Sequence, residues 1–300
     1  MKRLQSIQDV TNYQVEQDRR LYSANHDEIL AGLTTDVYFV KTKQILESFG
    51  YRDSQVTAEI FPRRDGIIAG VEEALNLLKG LEVEVEALPE GSPFKAKDVV
   101  MRIRGRYADF GIYETAILGI LAHSSGWATA AYEVKKVTGD KPFFCFGARH
   151  VHPAVAPVME RAAIVGGANG ASCVLGAKLA GLEPSGTVPH ALFLIVGDTV
   201  KAAEMYDQIM PPDSPRTILV DTFKDEVEES LRVGKALGAR LEAIRIDTPG
   251  ERGGVTAALV RELRAKLDLA GYTQVKIFAS GGLDLEKIRL LSEAGVDAFG

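Results

Sequence analysis

The chain has 300 residues, 46% of them apolar and 25% charged, with a net charge of -6 at neutral pH. That length buries a full core in one large or two ordinary domains, and the acidic balance argues against a nucleic-acid surface, which needs clustered excess Lys and Arg. Cys145 and Cys173 are too few for a disulfide framework or a cysteine zinc site, no apolar run reaches the roughly 18 residues of a membrane span, and the polar N-terminus is not signal-like, so a cytoplasmic protein with no membrane or nucleic-acid partner is expected.

In chain order, Thr35 or Asp36 caps a helix running to about Phe49, and Gly66 to Leu78 reads as a second helix. Glu82-Val83-Glu84-Val85-Glu86 alternates with period two, a half-exposed strand. Pro89-Glu90-Gly91 supplies a turn, and Val99 to Ile103 reads as another strand. Residues 1–112 therefore suggest an α+β domain with an antiparallel sheet. From Tyr113 to Val137 a long helix is expected, with Ala122, Ser124, Ser125 and Gly126 small enough for close packing.

Afterwards strands and helices alternate. The strands are Pro142–Phe146, Thr217–Asp221, Leu241–Asp247, Val275–Ala279 and Val296–Phe299, with a further one near Gly170–Val174. The helices are Pro153–Val165, Asp225–Leu237, Val255–Ala270 and Leu283–Ala294. A βα unit of roughly 25 to 35 residues means parallel strands covered by helices. A barrel is favoured over an open sheet because every strand end carries polar residues, as a shared mouth requires. Residues 113–300 form this second domain.

Those strand ends carry the chemistry. Gly147-Ala148-Arg149-His150 follows the first strand, and Asp221-Thr222, Arg245-Ile246-Asp247 and Ser280-Gly281-Gly282 follow later ones. The Ser-Gly-Gly turn exposes backbone N–H groups ahead of a helix, an anion cradle, with Gly300 as a second glycine beside it. Asp247 suits sugar hydroxyls or a magnesium ion, and Arg245 can grip a carboxylate bidentately. His190 lies in a turn, Gly186 to His190, that enters the apolar run Ala191 to Val196. His150 and His152 crowd the same strand end as Arg149 and leave two readings open, a metal or an anion.

Taken together, these pieces resemble the type II phosphoribosyltransferases, and most of all the nicotinate phosphoribosyltransferases. The likeness is collinear from about Thr35: Thr35-Asp36-Val37-Tyr38, DGIIAGVEEALNLLKGLEVEVEALPEG, VVMRIRG, HSSGWATAA, FGARHVHP, GGANGAS, GTVPH, LVDTF, RIDTPGERGG and FASGGLD. It implies an incomplete α/β barrel with an N-terminal α/β sandwich domain. The implied reaction joins nicotinate and 5-phosphoribosyl diphosphate to give nicotinate mononucleotide and pyrophosphate, in NAD biosynthesis, with magnesium present.

The resemblance also implies roles. Phe146 stacks on the pyridine ring, Arg149 contacts the donor's diphosphate, and Tyr38 covers the other ring face from a neighbouring subunit of a homodimer. Arg245 reads the nicotinate carboxylate, and Asp247 holds ribose hydroxyls and magnesium. Ser280, Gly281 and Gly282 hold the 5′-phosphate. His190 matches a histidine phosphorylated at the expense of ATP, with Asp221 in support; the resemblance does not require that ATP coupling is kept.

Ser172 stands where nicotinamide-using relatives carry an aspartate, and a neutral serine removes repulsion of an acid. Quinolinate enzymes of this fold typically carry an arginine where this chain has Glu114-Thr115 and a His-Arg pair where it has Gly170-Ala171; a monocarboxylate therefore fits better. The family continues past the strand ending at Gly300 with a second phosphate loop, so the expectation is that these residues are a piece of a longer chain. Two rival readings stand beside it: a metal-dependent barrel hydrolase, for which the later strand ends offer no histidine, and a non-catalytic carrier-like module over Gly66 to Gly105, which lacks the expected turn lysine.

Overall fold

The computed structural model describes residues 3–17 and 19–300. Two compact units divide them: one runs to Ala130 and adds His152–Gly166, the other comprises Ala131–Val151 and Gly167–Gly300. Among the described residues no helix is long and apolar enough to cross a membrane.

The first unit opens with α1 (Ile7–Asn12) and α2 (His26–Leu30), each closed by a capping box, Ser6 with Asp9 and Asn25 with Glu28. Then follow α3 (Val37–Ser48), β1 (Gln55–Ile60), β2 (Gly66–Ile67), α4 (Val71–Leu78), β3 (Val83–Ala87), β4 (Pro93–Phe94), β5 (Met101–Arg106), α5 (Tyr107–Phe110) and the long α6 (Glu114–Thr138). The antiparallel sheet has the order β1-β5-β3, as the alternation of residues 82–86 suggested. Met101 and Ile103 point into the core with Ile68, Val71, Leu78, Phe110 and Ile117. Each such aliphatic side chain, taken fully out of water, contributes about 1.5–3 kcal/mol.

Two expectations are corrected here. Helix α4 starts at Val71 rather than Gly66, because Gly66 and Ile67 pair with Phe94 and Pro93 and Gly70 turns the chain at φ +85°. The first unit also extends past residue 112. Ile117 and Leu121 of α6 lie in its core, Ser125 Oγ accepts from Ala69 N (3.1 Å), and Thr129 Oγ1 accepts from Ile67 N (2.9 Å). Helix α7 (Ala156–Val165) ends at Gly166, where a Cβ would lie 2.1 Å from the Ala128 carbonyl oxygen. Close packing along α6 is thus real, but at Ser125, Ala128 and Thr129 rather than at the exposed Ala122 and Gly126.

The second unit contains β6 (Phe144–Cys145), β7 (Gly170–Ala171), α8 (Val174–Leu179), α9 (His190–Val196), α10 (Thr199–Ile209), β8 (Thr217–Leu219), α11 (Glu226–Leu237), β9 (Ala243–Ile246), α12 (Ala257–Leu269), β10 (Lys276–Ala279), α13 (Leu285–Ala294) and β11 (Ala298–Phe299). Strands β11-β10-β9-β8 form one parallel sheet and β6-β7 another, joined by a parallel bridge between Phe143 and Phe299. The resulting parallel array reads β7-β6-β11-β10-β9-β8, and among the described residues nothing pairs β7 with β8. The barrel is incomplete, as expected.

Its helices begin where short polar side chains accept backbone N–H groups: Asp225 from Val227, Thr256 from Leu259 and Asp284 from Lys287. Arg216, almost buried, closes the far end of α10 by donating to the carbonyls of Asp207, Met210, Pro211 and Ser214. The run Gly170–Val174 is strand only over Gly170–Ala171, and Ala191 to Val196, expected only as an apolar run, is helix α9 with Leu194 and Ile195 exposed.

Candidate active site at the strand ends

Strand β9 sets the centre of the site. Its buried Ile244 and Ile246 turn one face into the core, so Arg245 and Asp247 project from the other. Arg245, with only 14% of its side chain exposed, donates from Nε to Ser280 Oγ (2.8 Å), from one terminal nitrogen to Thr187 Oγ1 (2.8 Å) and from the other to Asp247 Oδ2 (3.3 Å). Burial pushes this guanidinium below its ordinary range, against the pull of Asp247 and Asp221. Ser280 Oγ in turn donates to Asp247 Oδ1 (2.9 Å), so one buried hydroxyl locks arginine and carboxylate together.

Beside this pair stand His190 and Asp221. His190 is the first residue of α9, and Asp221 follows β8. His190 Nε2 lies 3.7 Å from Asp221 Oδ2 and 3.8 Å from Asp247 Oδ2, while Nδ1 lies 3.0 Å from Thr222 Oγ1. The Asp221 side chain is fully buried, and neither of its oxygens accepts a hydrogen bond from another group among the described residues. Burial raises its carboxyl above the usual range; His190 and its own backbone N–H oppose that, and Asp247 and Glu226 reinforce it. An acid that is costly to ionise therefore faces an imidazole. Arg252 holds the turn from outside by donating to the Asp221 carbonyl (2.7 Å).

The glycines divide by job. Gly281 has φ +85° and Gly282 φ +59°, both left-handed, and their N–H groups donate to no acceptor among the described residues. A Cβ on Gly281 would lie 2.4 Å from Asp247 Oδ1, so its bareness also admits that carboxylate. Lys287 brings a cation to the same turn, donating to the Gly282 carbonyl (3.2 Å). Gly300 is placed otherwise than the phosphate role suggested. Its N–H is given to Ala279 O (2.9 Å), and a Cβ there would meet the Phe146 ring at 2.3 Å. Its missing side chain serves the ring.

Phe146 packs with Phe144 (centroids 6.4 Å, nearly parallel) and Phe278 (5.9 Å), and the Arg245 guanidinium carbon sits 5.3 Å from its centroid. An aromatic face and a cation are thus adjacent. Arg149, in the turn after β6, is exposed and donates to no protein acceptor among the described residues; its charge is felt by Arg245. Ser172, after β7, donates its N–H to Cys145 O (3.1 Å). His150 is exposed, and His152 Nδ1 only accepts from Ala154 N (3.2 Å) in a local turn. Tyr38 belongs to the first unit, on α3, 55% exposed, with its hydroxyl donating to Asp36 (3.3 Å).

The structure thus brings Phe146, His190, Asp221, Arg245, Asp247, Ser280 and Gly281 into one constellation. Thr187 and Lys287 were missed by residue-type reasoning, and Thr222 was noted only as the neighbour of Asp221; GTVPH and LVDTF marked the segments of Thr187 and Thr222, and no motif covered Lys287. Among the described residues no three or more His, Cys, Asp or Glu side chains form a ready metal cage. A magnesium ion that keeps most of its shell from water and substrate phosphate would need one accessible carboxylate, which Asp247 offers with 21% of its side chain exposed, whereas the Asp221 side chain is fully buried.

Family models for the quinolinate phosphoribosyl transferase N-terminal domain and C-terminal domain match residues 36–125 and 127–300. A crystal structure of nicotinate-nucleotide pyrophosphorylase from Pyrococcus furiosus is 49% identical, with a TM-score of 0.90 over 94% of this chain and 74% of that one. Nicotinate phosphoribosyltransferase pncB1 of Mycobacterium tuberculosis is 28% identical over 90% of this chain and 68% of its own length. The Bacillus subtilis nicotinate phosphoribosyltransferase is 29% identical over 89% and 62%. The chain spans about two thirds of the length of these curated relatives.

Proposed function

The chain belongs to the quinolinate phosphoribosyl transferase family and is a phosphoribosyltransferase of NAD biosynthesis, and from that premise we propose that its acceptor is nicotinate. One observation carries the choice. A guanidinium has five N–H groups, and three of those on Arg245 are engaged by Ser280, Thr187 and Asp247. One N–H on each terminal nitrogen remains, the pair that a single carboxylate takes end-on. The ring of such an acid lies on Phe146, whose face adjoins that guanidinium. A second carboxylate, as in quinolinate, finds no comparable buried donor among the residues that contact Phe146 and Arg245.

In the proposed reaction the pyridine nitrogen attacks the anomeric carbon of 5-phosphoribosyl diphosphate as the bond to pyrophosphate breaks, through an oxocarbenium-like transition state. No covalent nucleophile is required for that step. Arg149, unpaired by protein, neutralises the departing diphosphate, and the free N–H groups of Gly281 and Gly282 with Lys287 hold the 5′-phosphate. Asp247, fixed by Ser280 and Arg245, orients the ribose hydroxyls. Magnesium, when bound through Asp247, supplies further charge neutralisation at the diphosphate. Tyr38 of a second copy as the outer ring cover, and ATP acting through His190, belong to the same proposal.

Steady-state transfer assays with nicotinate, nicotinamide and quinolinate, each with and without ATP, test this reading. Nicotinate is expected to lead in kcat/KM, with nicotinamide lower by about ten- to a hundredfold for want of a charged partner to Arg245. A preference for quinolinate would reject it.

A further inference from the structure

On the β10 side of β9 the backbone ladder runs up to the site: Ser280 N donates to Ile246 O (3.0 Å), and the Ser280 hydroxyl then fixes Asp247. On the β8 side the ladder stops earlier. Its last bond is Val220 N to Arg245 O (3.1 Å), and beyond it no backbone hydrogen bond among the described residues joins 221–225 to 247–254. Asp221 and Asp247 both approach His190 Nε2, at 3.7 and 3.8 Å, from two segments that have parted from the sheet.

Side chains close that gap. Thr248, directly after Asp247, donates from Oγ1 to Glu226 Oε1 (2.8 Å), and both residues are buried. Arg252 donates from one terminal nitrogen to the Asp221 carbonyl (2.7 Å) and from the other to the Lys224 carbonyl (3.3 Å). That second nitrogen also lies 3.7 Å from Glu226 Oε1. We propose that Arg252, Glu226 and Thr248 form a clip that takes over where the ladder ends and sets the spacing of Asp221 and Asp247, with Arg252 as a positioning residue for phosphoribosyl transfer.

Local backbone presents the arginine. The turn after β9 closes on itself, since Arg252 N and Gly254 N both donate to Pro249 O and Gly253 N donates to Gly250 O, each at 3.0 Å. Gly253 and Gly254 sit at φ +98° and +69°, a conformation that glycine holds without strain. A planar guanidinium can then reach two carbonyls and a carboxylate at once, which a single ammonium cannot do in the same geometry. Glu226 opens α11, so its charge lies at a helix N-terminus and faces the Arg252 cation. Removing the Thr248 hydroxyl would leave a buried carboxylate oxygen short of a donor. Phe146 and the Arg245 side chain take no hydrogen bond from these three residues, so the clip acts on the geometry around Asp221 and Asp247 rather than on capture of the acceptor ring.

Hydrogen exchange read by mass spectrometry on the whole chain tests the clip without turnover. In Arg252→Ala, and in Thr248→Val, amides of both 221–225 and 247–254 are expected to exchange about tenfold faster, with 217–220 and 243–246 unchanged; Thr248→Ser keeps the wild-type rates. Faster exchange confined to 247–254, or none, would overturn the proposal. The kinetic arm uses whichever of nicotinate and quinolinate the wild type turns over. Arg252→Ala is expected to lower kcat about ten- to a hundredfold with KM for the acceptor within about twofold, and Thr248→Ser to keep the kcat that Thr248→Val loses. The double variant Arg252→Ala/Thr248→Val should be little worse than either single one, because one clip is opened once. A raised KM with kcat kept, or losses that simply multiply, would count against the clip. A preference for quinolinate would reject the acceptor reading above and leave the clip standing.

Discussion

Arginines alternate along a strand in both units, with opposite physical outcomes. On β5, Arg102 donates to Glu59 and Glu86, Arg104 to Glu84 and Glu86, and Arg106 to Glu82 and Asp109, across the outer face of the antiparallel sheet. Their carboxylate partners push Arg102 and Arg106 above the ordinary range, and Arg102 holds Glu86 below it. On β9, Arg245 is pushed the other way by burial, keeps spare N–H groups, and lies near a carboxylate, Asp221, that accepts no hydrogen bond from another group. The ladder on β5 is saturated and wet; the group on β9 is unsaturated and dry. A charge on a strand serves the fold where its partners and solvent complete it. It serves chemistry where burial leaves donors and acceptors uncompleted.

Substitutions should separate the two regions. Arg245→Ala is expected to have the largest effect, lowering kcat/KM for nicotinate by roughly 30- to several-thousand-fold, the equivalent of about 2–5 kcal/mol for truncating a buried charged partner. Arg245→Lys should not restore it, because an ammonium cannot hold Ser280, Thr187 and Asp247 while offering a fork to the ligand. Wild-type kinetics in Arg245→Ala would end the contrast between the strands.

Asp221→Asn comes next and acts in two directions. Its transfer rate is expected to fall by at least tenfold, while thermal stability at neutral pH rises. The sign follows from the raised carboxyl: ionising Asp221 costs the folded protein more than the unfolded chain. Stability from the neutral form is therefore complete below the unfolded value of 3.8 and is lost as pH rises through the folded one. Melting curves of wild type and variant should converge as pH drops below about 4 and separate above it. Parallel curves at every pH would show that Asp221 is an ordinary solvated acid.

Arg104→Ala marks the small end. Despite two carboxylate partners it is expected to shift the melting temperature by less than about 3 °C and to leave kcat and KM unchanged, since exposed pairs contribute little. A larger loss would mean that the ladder is part of the folding core.

Much of this arrangement was legible residue by residue. The alternation of residues 82–86, the helices that begin near Asp225 and Leu283, and the apolar runs of β8, β9 and β10 follow from local pattern. Phe146, Arg245, Asp247 and Ser280 stood out because each follows or ends such a run. Helices α8, α9 and α10 did not, since exposed Leu175, Leu194, Ile195 and Ile209 blur the apolar face that betrays a helix. Gly66 reads as helix in the sequence because its strand partner, Phe94, is 28 residues away.

What the sequence by itself determined, then, was where strands end and which ionisable groups stand there, because hydrophobic periodicity and capping act over a few residues. Tertiary structure alone decided how those groups are completed. Thr187 and Ser280 reach Arg245 from 58 and 35 residues away, Thr222 reaches His190 across 32, and the bareness of Gly300 makes room for Phe146. Whether a buried donor or acceptor is satisfied depends on which strands and helices become neighbours, and that is settled by packing of the whole core rather than by any one segment.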